Sequence, residues 1–137
     1  MIWKYERGDQ DGRKKHRWNK DEAGFVPGTK GPAGKCPKHV TPEIAQLALE
    51  NGVPFFDLPN HQPLESDFPS KIYIVYKGVI YEAAVTNPGK SFHAYPWRAD
   101  LPGRPPLPNS ILRKLEEKVE TQEDKRTFKK WLKKYGR

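Results

Sequence analysis

The stretch "KIYIVYKGVIYEAAVT", residues 71–86, narrows the possible folds more than any other part of the chain. Both halves are rich in β-branched and aromatic residues, and they meet at Lys77-Gly78, a permissive two-residue turn. A β-hairpin is expected. The first half is apolar on both faces, with Ile72 and Ile74 on one and Tyr73 and Val75 on the other, which suits a central strand better than an edge. "NPGK" then carries Pro and Gly where a type II turn needs them and leads into a third strand, "SFHAYP". Residues 71–95 therefore read as a three-stranded antiparallel meander.

Helical signals lie on either side. In "TPEIAQLALENG", residues 41–52, Thr41 is placed to cap and Pro42 occupies the first turn, where a missing N–H costs nothing. Gly52 reads as a left-handed stop, with Ile44, Leu47 and Ala48 on the buried face. Near the C-terminus, Ile111, Leu112, Leu115 and Val119 form one apolar stripe, and Phe128, Trp131, Leu132 and Tyr135 form another. Asn109 and Ser110 suit the first cap, Thr121 with Asp124 imitates a capping box, and residues 110–135 read as an αα-hairpin.

The connections are proline-rich. "VPFFDLPNHQPLESDFPS" has no period and is expected to be a packed loop whose Phe55, Phe56 and Leu58 cap the core. Residues 100–109 read as a polyproline-like connector; it contains P-x-x-P spacings, which arise often by chance. Residues 1–40 are basic and loop-rich, with "IWKYER" as a candidate fourth strand. The expected fold is a single α+β domain spanning residues 1–137. In it a small antiparallel sheet of about three strands packs in two layers against one N-terminal-side helix and the C-terminal αα-hairpin.

A chain of 137 residues suffices for one modest core. One cysteine, Cys36, permits no internal disulfide, and the sequence shows neither a signal-peptide core nor an apolar run long enough to cross a bilayer. A cytoplasmic location without a membrane partner is the expectation. The formal charge of +8 is uneven: both ends are basic, whereas residues 41–70 contain no Lys or Arg and five acids. Basic ends suggest a polyanion, since neutralising phosphates releases counterions.

Candidate contacts follow from this distribution. "GRKKHRW" offers Arg13, Lys14, Lys15, Arg17 and the stacking residue Trp18, and its plainer reading is a solvated arm. The last helix offers Lys125, Arg126, Lys129, Lys130, Lys133 and Lys134 opposite its aromatic stripe. Between them, "NPGKSFHAYPWR" presents Lys90, His93, Tyr95, Trp97 and Arg98.

In a strand, Ser91, His93 and Tyr95 share the face opposite Phe92 and Ala94. Histidine can accept or give a proton near neutrality, Lys90 and Arg98 could neutralise a phosphate, and Tyr95 or Trp97 could stack on a base. The expected function is a small nucleic-acid-binding protein preferring RNA over DNA, and in its sharpest form a toxin-like, metal-independent ribonuclease with His93 as general acid or base. Lys90, Tyr95 and Arg98 complete that catalytic set. Glu82 is the nearest carboxylate, and a one-residue slip of register would turn it to the other face.

The alternative is a non-catalytic adaptor that meets a protein through the acidic region 41–67 or the proline connector. Cys36-x-x-His39 has ligand-like spacing but lacks two further ligands, so no metal and no cofactor are expected. Basic neighbours of Cys36 leave thiolate chemistry conceivable, though one Cys near one His is a common accident.

Overall fold

The computed structural model describes residues 4–5, 20–27, 33–56, 69–87, 91–104 and 106–136. Its elements are β1 (Lys4–Tyr5), β2 (Gly24–Val26), β3 (Ala33–Lys35), α1 (Pro42–Glu50), β4 (Val53–Phe55), β5 (Lys71–Tyr76), β6 (Val79–Asn87), β7 (Ser91–Pro96), α2 (Asn109–Glu117) and α3 (Gln122–Tyr135). The fold is mixed α+β.

The main sheet has the order β1-β7-β6-β5-β4, antiparallel except for the two-residue β1, which runs parallel to β7. β5 and β6 join at Lys77-Gly78, where φ values of 50° and 82° suit the right-handed twist of a tight hairpin. A side chain at Gly78 would come within 2.5 Å of the Asp124 carbonyl, so glycine also lets α3 approach the turn.

The sheet exceeds the expected three strands. β4 lies where a packed loop is read from the sequence, and its Pro54 is tolerated because β4 is the outermost strand and need not donate on its free side. The nominal loop at 1–40 also contributes β2 and β3, which pair with each other. Of the "NPGK" turn, Asn87 ends β6 opposite Ser91, and residues 88–90 lie outside the described residues.

Helices cover both faces of the sheet, which corrects the two-layer expectation. On one face, Leu49 of α1 packs with Ile72, Ile74, Tyr81, Ala83, Phe92 and Cys36. On the other, Tyr73, Ile80 and Trp97 pack with Ile111, Leu115 and Val119 and with Phe128 and Trp131. The alternation of β5 is thus buried twice over. Ile72, Ile80, Leu49, Leu115 and Phe92 are fully buried, and each contributes roughly 1.5–3 kcal/mol on transfer from water.

α2 lies over β4 and β5 and α3 against β6, so each helix has its own seat on the sheet in place of a self-contained αα-hairpin. α3 is clamped where β7 ends: the Trp131 indole N–H donates to the Trp97 carbonyl at 2.8 Å, and the Ala99 N–H to the Tyr135 carbonyl at 2.7 Å.

Candidate functional site

Strand pairing sets the register at His93. Tyr73 lies opposite Glu82, and Glu82 opposite Tyr95, so the three side chains form one row across β5, β6 and β7. The adjacent row on the same face is Lys71, Ala84 and His93. Glu82 therefore faces the same side as His93. A shift of register lies between Val85 and Asn87, beyond both rows, and leaves their alignment intact.

Glu82 is 7% exposed, and buried carboxylates need partners. It accepts hydrogen bonds from the Tyr95 hydroxyl at 2.5 Å and from the Lys71 ammonium at 3.3 Å, and it also takes a side-chain hydrogen bond from Tyr73. Burial first, and then the Glu82 charge, push both tyrosine hydroxyls far above their ordinary range, so they remain donors at any physiological pH. The His93 ring lies 6.1 Å from the Tyr95 ring, tilted by 40°. Arg104, in the proline connector, adds an exposed positive charge that acts on Tyr95.

The other members of the expected set are placed differently. Lys90 and the arm residues Arg13, Lys14, Lys15, Arg17 and Trp18 lie outside the described residues. Arg98 binds Asp100 through two hydrogen bonds of 2.8 Å and stacks on Phe25 at 4.6 Å and Tyr135 at 4.9 Å. These contacts fasten the end of β7 to β2 and α3, and they occupy the guanidinium that the sequence reading assigns to phosphate. Trp97 is 5% exposed in the core, so its indole offers no face to a base. Tyr95 is tied to Glu82 and half-buried, which replaces the stacking role with a hydrogen-bonding one. The face bearing His93 and Tyr95 is not an outer surface, because α2 and α3 cover part of it.

The six cations of α3 are all exposed, while Phe128 and Trp131 are buried beneath them. None of the six is paired with a carboxylate among the described residues. The helix dipole favours cations only in the last turn, which accounts for Lys133 and Lys134 and leaves Lys125, Arg126, Lys129 and Lys130 unexplained. Held on a helix whose inner side is locked, they form a fixed strip of positive charge.

Cys36 is buried, and desolvation pushes its thiol up to about 12 against the opposing pull of Lys35, which disfavours the thiolate. Among the described residues no three His, Cys, Asp or Glu are placed to share a metal ion, and no helix is long and apolar enough to cross a membrane. In the acidic region 41–67, Glu43 and Glu50 are exposed on α1, and residues 57–67 are not described.

Comparison with protein-family models, curated proteins and solved structures finds no match. Geometry alone carries the functional reading. Sequence reasoning missed Lys71, Tyr73 and Arg104 as neighbours of the site. One signal was available: a glutamate in the middle of the otherwise apolar "VIYEAAV" demands buried partners.

Proposed function

We propose that the protein binds nucleic acid, RNA in preference to DNA, through the outer face of α3. The carrying observation is the strip of six exposed cations without a carboxylate partner among the described residues, four of them beyond the reach of the helix dipole. Such a strip meets phosphates without reading sequence. The preference for RNA is supported by the margin of the sheet, where half-buried Phe55, Lys71 and His93 share a cross-strand row that suits unpaired bases and ribose.

Fluorescence anisotropy with labelled single-stranded RNA and DNA, from about 50 to about 200 mM salt, tests the reading. Affinity should fall steeply with salt. Replacing Lys129, Lys130 and Lys133 together by Gln should flatten the slope of log K against log salt by about 2, near 0.7 for each phosphate that is no longer neutralised. Affinity that is flat in salt, or unchanged in the triple variant, would remove α3 from the interface.

A further inference from the structure

A row of cations can follow one strand of nucleic acid or reach across two, and the rotation of α3 about its axis favours two, an inference that rests on RNA being the ligand of α3. From Lys125 to Tyr135 every fully exposed position is Lys or Arg. At about 100° per residue, Arg126, Lys129, Lys130 and Lys133 fall within an arc of about 100° opposite the buried Phe128 and Trp131. These four form a ridge. Lys125 and Lys134 stand off it on opposite flanks, about 180° from each other around the helix and about 14 Å apart along it. The Lys134 ammonium lies 5.3 Å from the centre of the half-buried Tyr135 ring. The rotation is fixed by the core: Gly78 comes close to Asp124 and Thr127 near the start of α3, and Trp131 donates to the Trp97 carbonyl further along. α2, by contrast, exposes Arg113 and Lys114 together with Glu116 and Glu117, and has no strip of one sign.

We propose that α3 seats in the minor groove of double-stranded RNA, with its ridge toward the groove floor and Lys125 and Lys134 on the phosphates of the two strands. A single strand presents one line of phosphates, and the ridge alone can follow it. Cations on opposite flanks find anions together only where a backbone runs on either side of the helix.

The shape of the groove sets which face of the duplex is used. A helix with its side chains is about 10–12 Å across, and the major groove of an RNA duplex is too deep and narrow for side chains to read, whereas the minor groove is wide and shallow. The ridge carries donors only, which suit the 2′-hydroxyl oxygens and base-edge acceptors displayed there. It holds no amide, hydroxyl or carboxylate, so it recognises the shape of the duplex and not its sequence. Because the inner side of α3 is locked, the six cations are presented without a prior rearrangement of the helix.

The test uses the full chain and the anisotropy of three labelled probes: an RNA duplex of about 16 base pairs, one of its strands alone, and the DNA duplex of the same sequence. At about 100 mM salt the RNA duplex should bind at least about tenfold more tightly than its single strand, and more tightly than the DNA duplex. Lys125→Gln combined with Lys134→Gln should flatten the duplex slope of log K against log salt by about 2, near 0.9 for each phosphate released, and should leave single-strand affinity within about twofold. Both positions are exposed and glutamine is a good helix former, so the pair should leave the fold intact, which circular dichroism checks. A duplex bound no more tightly than its strand, or equal losses on both probes in the paired variant, overturns the two-strand seat and leaves RNA binding by α3 standing. A DNA duplex bound as tightly as the RNA duplex overturns the assignment to the RNA minor groove. Failure to bind either form of RNA overturns both readings.

Discussion

Glu82 and Cys36 show how position sets the chemistry of a single residue. Glu82 is tolerated in a central strand only because β5 and β7 each present a hydroxyl to it, and β5 an ammonium as well. Cys36 has Lys35 and Lys38 beside it in sequence, which suggests an activated thiol, yet its side chain points into the core under α1, and desolvation outweighs the lysine charge. Folded protein at pH 8 should therefore react with iodoacetamide far more slowly than the urea-unfolded chain, a difference that mass spectrometry measures; equal rates would contradict the burial of Cys36. His93 shows the limit of reading residues singly. Its neighbour Tyr95 is visible in the sequence, whereas Glu82, which shares its face of the sheet, lies on another strand and is placed there only by the pairing of β6 with β7.

Among the elements, periodicity locates α3 well and α1 less well. α3 has a narrow apolar stripe and six cations outside it, and its cap is as read: the Thr121 hydroxyl accepts from the Asp124 N–H at 3.0 Å. Thr121→Ala should cost about 1 kcal/mol in urea unfolding, and a loss near zero would mean that α3 is held by packing alone. α1 is apolar almost all round, so the sequence leaves its rotation open. Leu49, not Leu47, enters the core, and Leu47 is 63% exposed, because the seat between Ile72 and Ile74 accepts Leu49. Gly52 is not left-handed after all; its lack of a side chain serves closeness, since a Cβ there would collide with the Ile72 side chain. α2 starts at Asn109 with Pro108 as its cap and no side-chain hydrogen bond, so the expected Asn/Ser cap is not used. β4 escaped notice because three residues containing a proline carry almost no strand signal.

At the scale of the molecule, a sheet buried on both sides places several acidic hydroxyls and a thiol in low dielectric. Burial raises Tyr73, Tyr81, Tyr95 and Cys36 above their ordinary values. Each keeps its proton in the folded state to a higher pH than in the unfolded chain, so this stabilisation is complete below about pH 9 and is lost as pH rises above it. Urea midpoints should accordingly hold steady from pH 7 to about 9 and fall above that; a midpoint that rises with pH would contradict the burial of these groups. The sequence by itself determined the hairpin at Lys77-Gly78, the third strand, the helix lengths near the C-terminus and the basic strip of α3, because turn chemistry, apolar period and charge are local properties. Tertiary structure decided which faces are covered and which side chains meet. Strand register joins Glu82 to Tyr73 and Tyr95 across separate segments, the packing of Trp97 and Arg98 against α3 withdraws them from any ligand, and neither follows from spacing along one chain.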